Sequence, residues 1–207
     1  IWNNQNKKQT SKNDVFKDFK TINSRNTSFD KEMPIDKNFK FILFDKIKNE
    51  KWSDIFYDKS NNTKNFSYND LDKVSLKTKK ITKFDIGQFI LFQNNHVILN
   101  DENGSLIIYS LQEKKIINKF NFYKKKHRNI KKSLNLIIEN SIIYVSDNLG
   151  YLYAFDFLNK KLVWAKDYKI PFRSNLKIFK NKLIAANQNN TLYFFEKKTG
   201  NLIKKFP

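Results

Sequence analysis

Few side chains in this sequence could act in catalysis or bind a metal ion, and none has a spacing that defines an active site. The histidines are His96 and His127, and neither has a companion at metal-ligand spacing. Asp101, Glu102 and Asp147 fall at predicted turns, where Asp is favoured for its short hydrogen-bonding side chain. There is no Cys and no Gly-rich phosphate loop, so thiol chemistry and that mode of phosphate binding have no residues to carry them. These patterns predict no catalytic residue, no metal site and no cofactor.

Positive charge is the second feature with chemical meaning. The chain has 40 Lys and Arg residues against 20 Asp and Glu, a net charge of +20. Such an excess is typical of nucleic-acid binders. However, only Arg25, Arg128 and Arg173 are arginines, and base readout favours arginine. Because Lys, Asn, Ile and Phe have A/T-rich codons, genome composition also explains the charge. We expect a solvated lysine-rich surface and no nucleic-acid partner.

The densest positive stretch is a basic loop between two predicted strands. It consists of Lys124, Lys125, Lys126, His127 and Arg128, and it continues at Lys131 and Lys132. Two interpretations are open. The loop is either a solvated surface segment or a contact for anionic lipid headgroups or an acidic partner.

Most of the chain belongs to a repeat. Segment 141–164 aligns with the preceding segment at a constant offset of 46, which places Gly150 on Gly104. It aligns with the following segment at an offset of 40, which places Leu152 on Leu192. A period of this length with four short strands is typical of β-propeller blades.

Each repeat predicts four antiparallel strands joined by hairpins. The predicted strands are 89–92, 96–100, 105–110 and 115–120, then 134–138, 142–146, 151–156 and 161–165, then 175–179, 183–186, 191–195 and 201–204. Gly104, Gly150, Asn190 and Gly200 lie at the turns, since Gly and Asn tolerate positive φ. Continuous apolar runs such as 142–145 indicate sheets covered on both faces. A generic antiparallel β protein is the alternative.

The repeats divide the chain into three regions. Residues 1–38 are polar, and we expect them to be largely mobile. Residues 39–88 are lead-in strands that pack on the first blade, and residues 89–207 form the repeats 89–133, 134–174 and 175–207. The predicted fold class is all-β, a partial propeller of about three four-stranded antiparallel blades after an irregular N-terminal lead-in. Because propellers typically close with four to eight blades, we expect the chain to be part of a longer one.

The second repeat resembles the quinoprotein-like, or PQQ-like, propeller repeat. That pattern contains D-G-x-L-Y-A-x-D, a T-G turn and a strand that ends in Trp. The matching residues are Gly150, Leu152-Tyr153-Ala154, Asp156 and Trp164 in the second repeat, and Leu192-Tyr193, Thr199-Gly200 and Leu202 in the third. The first repeat supplies Gly104 and has Asn118 at the Trp position. We expect Trp164 to fill the space between two blades.

Within that superfamily, the chain looks most like the BamB-like outer-membrane assembly factors. Two short segments strengthen this resemblance, the opening Ile1-Trp2-Asn3-Asn4 and the join Pro171-Phe172-Arg173-Ser174. The resemblance implies a non-catalytic lipoprotein in the periplasm, attached to the inner face of the outer membrane through a lipid anchor upstream of this sequence. It would be a scaffold that docks on the central barrel-insertion subunit and assists unfolded outer-membrane proteins.

The resemblance also implies a docking loop. In BamB-like proteins an Arg and neighbouring apolar residues on an inter-blade loop contact the partner, and Phe172 and Arg173 are the matching positions. An exposed aromatic side chain beside Arg would form a binding hot spot. The alternative is that Phe172 belongs to the core and Arg173 is a solvated charge.

Two other functions stay open. One is a different interaction propeller of the same superfamily, with a protein or polysaccharide partner. The other is a piece of a quinone-dependent dehydrogenase. Those enzymes need a calcium-and-quinone pocket and often carry a vicinal Cys pair, and this sequence has no Cys. The fold by itself does not decide among these functions.

Overall fold

The computed structural model describes residues 34, 36–40, 42–43, 45–46, 51–58, 61, 65, 74, 76–123, 127 and 129–207. Two compact units are present, Ile1–Leu43 and Phe44–Pro207. All the strands described below belong to the second unit. Lys124, Lys125, Lys126 and Arg128 of the basic loop lie outside the described residues, as does most of the predicted mobile segment 1–38.

The described residues form three antiparallel sheets and no helix. The first sheet contains β1 (Lys51–Trp52), β2 (Leu91–Gln93), β3 (His96–Asn100), β4 (Ser105–Ser110) and β5 (Lys115–Asn121). The second contains β6 (Leu134–Glu139), β7 (Ile142–Asp147), β8 (Tyr151–Asp156) and β9 (Lys161–Asp167). The third contains β10 (Lys177–Phe179), β11 (Lys182–Ala186), β12 (Leu192–Glu196) and β13 (Leu202–Phe206). Strand order in each sheet follows chain order, so the predicted all-β, partial-propeller fold is confirmed.

The backbone conformation repeats at the same offsets as the sequence. Residues with positive φ in the hairpin turns are Asn94, Gly104 and Lys114, then Asn140, Gly150 and Lys160, then Lys180, Asn190 and Gly200. The offsets are again 46 and then 40. Left-handed backbone closes tight hairpins, so each blade is built with turns at the same three places. Lysine occupies three of these positions, which is why composition alone does not mark every turn.

Each pair of neighbouring sheets encloses its own core. Val145 and Phe155 of the second sheet pack with residues of the first sheet. Tyr144 and Leu152, on neighbouring strand positions, pack with residues of the third sheet. Successive side chains of a strand point to opposite faces, so the apolar run 142–145 is a strand covered on both faces.

The lead-in segment 51–58 contacts one strand in each of the three sheets. β1 pairs with β2 in the register Lys51↔Gln93 and Trp52↔Phe92. The carbonyl of Ser53 accepts a hydrogen bond from the amide of Ile138 in β6 at 2.9 Å. In addition, Asp54 forms a 2.7 Å ion pair with Lys177 of β10. The lead-in therefore extends past the first blade and reaches the second and third.

Candidate functional site

Trp164 shows how the space between two sheets is filled from within the chain. Its ring lies against the Gly200 turn, where a Cβ on Gly200 would come within 2.6 Å of the ring. Its Nε1 donates a hydrogen bond to the carbonyl of Lys197 at 3.2 Å. Tyr144 of the second sheet also packs near the indole, with ring centroids 6.1 Å apart. The indole thus lies between the second and third sheets, where its place in the repeat requires it.

The contact between the first and second sheets lacks this indole. Asn118 stands 46 residues before Trp164, and its Nδ2 is buried without a hydrogen-bond partner among the described residues. Lys160 stands 40 residues before Gly200. Neither the ring nor the glycine that receives it is therefore present at this contact.

A groove of about 450 Å³ opens between the first and second sheets. Its first-sheet wall is formed by residues 120–123 and its second-sheet wall by β8 and β9. Aromatic rings dominate both walls, since Phe122 stacks on Tyr153 at 4.3 Å and Tyr153 stacks on Tyr151 at 5.8 Å. Leu162 and Ala165 add aliphatic surface. We call this feature the inter-sheet groove.

A buried carboxylate supports the aromatic wall of the groove. Asp147 is fully buried, and its Oδ1 accepts hydrogen bonds from the amides of Leu149 at 2.9 Å and Tyr151 at 2.8 Å. Its Oδ2 accepts a hydrogen bond from the hydroxyl of Tyr123. Burial raises the pKa of Asp147. Burial and the nearby carboxylate also raise the pKa of Tyr123, so the hydroxyl keeps its proton and holds the ring in the groove wall.

The same hairpin cap recurs in the other sheets. Asp101 accepts hydrogen bonds from the amide of Ser105 and the hydroxyl of Thr82, both at 2.9 Å. Asn187 accepts hydrogen bonds from two amides of its own turn, at 2.9 and 3.2 Å. The polar residues at the predicted turns therefore stabilise the hairpins, because their oxygens satisfy buried backbone amides.

The inter-blade loop exposes Arg173 but not Phe172. Phe172 is 3% exposed, and its ring packs on Phe195 and Tyr193 at 5.9 and 6.4 Å. The hypothesis of an exposed aromatic side chain at this position is therefore wrong, because Phe172 closes the core between the second and third sheets. Arg173 is exposed, and its amide donates a hydrogen bond to the carbonyl of Ala186 at 3.1 Å.

Lys132 is not the solvated residue that the basic loop suggested. It is 5% exposed, and its ammonium lies 5.4 Å from the centre of the Tyr123 ring. Burial lowers its pKa. The repeat does not signal this burial, since the positions aligned with Lys132 are Ile86, which is exposed, and Phe172, which is buried.

The two histidines lie in different surroundings. His96 packs on Phe157 at 5.6 Å, and His127 packs on Tyr151 at 6.1 Å in the wall of the inter-sheet groove. Among the described residues, no three or more His, Cys, Asp or Glu side chains are grouped to hold a metal ion. That part of the chain also has no helix of the length and apolarity needed to cross a membrane.

Comparison with known proteins bears on the fold. No protein-family model matches the sequence, and no curated protein matches it. A europium-containing methanol dehydrogenase superposes with a TM-score of 0.62 at 12% identity, over 76% of this chain and 32% of that one. A quinohemoprotein alcohol dehydrogenase from Comamonas testosteroni gives 0.60 at 12% identity, over 75% and 27%. The chain therefore has a β-propeller fold similar to that of these two enzymes.

This likeness of fold agrees with the repeat pattern of the sequence. The computationally designed Ika4 protein also superposes, with a TM-score of 0.52 at 12% identity, over 62% of this chain and 76% of that one. The chain spans about a third or less of the length of the two dehydrogenases. At such low identity the likeness concerns the fold alone, and it leaves the activity to be argued from the residues.

Proposed function

We propose that this chain is a non-catalytic binding propeller that serves as a periplasmic scaffold for assembling β-barrel proteins into the outer membrane. The observation that carries the non-catalytic part is the use of the repeated polar residues. Asp101, Asp147 and Asn187 all cap hairpin turns through buried hydrogen bonds. Side chains whose oxygens accept these buried hydrogen bonds stabilise the sheets. The repeat motif and the quinoprotein-type fold support the choice among propeller families.

The proposed partners are the central barrel-insertion subunit and unfolded outer-membrane proteins. A lipid anchor upstream of this sequence would hold the scaffold at the inner face of the outer membrane. Arg173 is the proposed docking residue. Its backbone is held by the Ala186 carbonyl, while Ser174 accepts a 2.7 Å hydrogen bond from the amide of Ala186. A guanidinium group on such a fixed loop has five donors to offer a partner.

The test is affinity capture from a periplasmic extract with the tagged protein as bait and quantitative mass spectrometry as the readout. We expect recovery of the barrel-insertion subunit and a loss of about tenfold with Arg173→Glu, since reversing a hot-spot charge removes more than 1 kcal/mol. Lys198→Glu is the matched control, because Lys198 is an exposed cation in the turn at the other end of the third sheet.

Each result has a separate meaning for this proposal. Capture that survives Arg173→Glu keeps the scaffold role and moves the docking surface elsewhere. Absence of the barrel-insertion subunit from every capture overturns the barrel-assembly role. In that case the second candidate, an interaction propeller with another partner, is favoured by the presence of the inter-sheet groove.

A further inference from the structure

The hairpin turns at one end of the strands form a continuous surface. Each sheet has two turns at this end, one after β2, β6 or β10 and one after β4, β8 or β12. A backbone hydrogen bond of 2.9 or 3.0 Å joins the two turns in every sheet, since Leu111 donates to Asn95, Phe157 to Ser141 and Lys197 to Asn181. The two turns of each sheet therefore lie side by side.

Contacts between the sheets extend this surface. The side-chain amide of Gln93 donates a 2.5 Å hydrogen bond to the carbonyl of Asn140, which joins turns of the first and second sheets. Lys197 forms an ion pair with Glu139, which joins turns of the third and second sheets. We call this surface the turn face, and it consists of residues 93–95, 111–115, 139–141, 157–161, 179–182 and 196–200.

The turn face has a large excess of positive charge. Its acidic residues are Glu113, which lies 2.8 Å from Lys115, Glu139, which pairs with Lys197, and Glu196, which accepts a hydrogen bond from Thr199. The other lysines of the face are exposed and form no ion pair with any residue that the structure describes. These six lysines are Lys114, Lys160, Lys161, Lys180, Lys182 and Lys198.

The geometry of the turns does not require these lysines. Lys114 and Lys160 have φ values of 52° and 54°, and Gly200 occupies the equivalent position of the third sheet. Lys180 has a φ of 53° where the other sheets have Asn. Gly and Asn adopt this conformation more readily than Lys. The hairpin turns at the opposite end, 101–104, 147–150 and 187–190, contain no lysine, so the charged turns are confined to one end of the sheets.

Apolar side chains stand among the lysines of the turn face. Leu158, in a turn of the second sheet, is 55% exposed, and Phe179, at the end of β10, is 58% exposed. The ammonium of Lys180 lies 5.5 Å from the centre of the Phe179 ring. Apolar groups surrounded by lysines suit the boundary between lipid headgroups and acyl chains, where the chains receive the apolar group and the anionic headgroups receive the ammonium.

The same composition argues against a protein partner at the turn face. Lysine is depleted in protein–protein interfaces, whereas arginine and aromatic residues are enriched. The turn face has eight Lys and no Arg. Lysine acts as a strongly hydrated point charge, and each lysine near an anionic membrane surface raises the affinity about fivefold.

We propose that the turn face binds the surface of an anionic phospholipid bilayer, with its six exposed, unpaired lysines against the headgroups and Leu158 inserted between them. This site goes beyond the scaffold role and does not involve Arg173. Arg173 belongs to the loop between β9 and β10, which joins the opposite ends of the strands. A chain bound in this way keeps Arg173 on the side away from the lipid.

The first test measures co-sedimentation of the whole chain with lipid vesicles. The vesicles contain phosphatidylcholine with about one third phosphatidylglycerol, and the control vesicles contain phosphatidylcholine alone. We expect binding to the anionic vesicles alone, and we expect it to weaken as the screening length falls from about 10 Å at 0.1 M salt to about 3 Å at 1 M. Equal binding to both kinds of vesicle overturns the proposal.

A pair of charge-reversal variants locates the site. The variant K114E/K160E/K180E is expected to bind anionic vesicles about a hundredfold more weakly. The matched control is K131E/K169E/K205E, which reverses the same number of exposed lysines at the opposite ends of the strands. The control is expected to stay within about threefold of the unaltered chain, because lipid attraction acts only near the membrane surface. Equal losses in the two variants overturn the proposal, since net charge alone would then explain the binding.

A second pair of variants tests insertion. Leu158→Gln is expected to weaken binding to anionic vesicles about tenfold, because it removes the apolar side chain that the lipid buries. Ile130→Gln is the matched control, since Ile130 is 45% exposed and precedes β6, at the opposite end of the strands. Thermal unfolding checks that all the variants are folded. Unchanged affinity of a folded Leu158→Gln overturns the inserted position of Leu158.

The remaining outcomes distinguish the lipid from an acidic protein and from the scaffold role. Polyglutamate is the probe for an acidic protein. Binding of polyglutamate, without binding of anionic vesicles, overturns the lipid proposal and assigns the turn face to an acidic protein. Arg173→Glu is expected to leave vesicle affinity within about threefold, so the lipid site and the scaffold role can fail independently.

Discussion

At the residue scale, two steric constraints require glycine at position 200. It has a φ of +70°, and a Cβ there would lie 2.6 Å from the Trp164 ring. Gly200→Ala is expected to lower the free energy of unfolding by about 2–4 kcal/mol, since backbone strain and overpacking each cost about 1–3 kcal/mol. Chemical denaturation measures the loss. Lys160→Ala is the matched control, because Lys160 has a φ of 54° in the equivalent turn, and it should stay within about 0.5 kcal/mol.

Buried tyrosines make the folding stability of the protein fall at high pH. Burial raises the pKa of Tyr144 from 10.0 to about 12. The folded state therefore keeps a proton that the unfolded state releases above pH 10, and stability falls as pH rises from 10 to about 12. Tyr144→Phe is expected to reduce this slope by up to about 1.4 kcal/mol per pH unit. Urea titrations at pH 8, 10 and 11 measure it, and an unchanged slope would contradict the assignment.

Residue types in the sequence did not decide which side chains are exposed. Phe172 was a candidate docking residue and Lys132 a solvated cation, yet both are buried. Arg173, one position further along, is exposed. Alignment of the repeats does not supply this information, because Ile86, Lys132 and Phe172 share one position at the offsets 46 and 40, yet Ile86 is 47% exposed. Burial at this position therefore depends on tertiary packing and not on the residue type.

At the element scale, the lead-in segment 51–58 is held by an ion pair with one buried partner. The side chain of Asp54 is 2% exposed, and it accepts from Lys177 at 2.7 Å. Asp54→Asn is expected to cost about 1.5–3 kcal/mol, the range for hydrogen bonds to charged groups. It should also speed hydrogen exchange at the amide of Ile138, which is bonded to Ser53.

A surface pair provides the control for that variant. Lys131 and Glu102 lie 2.6 Å apart, but the Lys131 side chain is 79% exposed. Lys131→Ala should therefore change stability by less than about 0.5 kcal/mol. Equal effects of Asp54→Asn and Lys131→Ala would mean that the Asp54 pair does not fasten the lead-in.

Strands were predictable where local pattern and repeat agreed. The predicted strand 142–146 is Ile142–Asp147 in the structure, and the predicted strand 151–156 is Tyr151–Asp156. The first strand of the third sheet was predicted from 175 but begins at Lys177. The path of the lead-in was not predictable, because its contacts to Ile138 and Lys177 join residues far apart in the sequence. The inter-sheet groove was likewise not predictable, because its walls come from two different sheets.

At the scale of the whole molecule, the two faces of the third sheet differ in what covers them. Tyr193 and Phe195 on one face pack in the core shared with the second sheet. Alternate positions on the other face are open, since Phe179 is 58% and Phe206 42% exposed. Leu192, paired with Phe206, lies on that same open face. Open apolar surface of this kind promotes association between molecules.

We therefore expect the isolated chain to self-associate through the open face of the third sheet. Light scattering coupled to size exclusion should show a mass that rises with protein concentration. Phe179→Lys together with Phe206→Lys should return it to the monomer, because a buried lysine without a partner is strongly disfavoured. Leu158→Lys is the control, since Leu158 is equally exposed but lies in a turn of the second sheet. A mass that stays monomeric at every concentration would contradict this expectation, and it would mean that the exposed rings do not drive association.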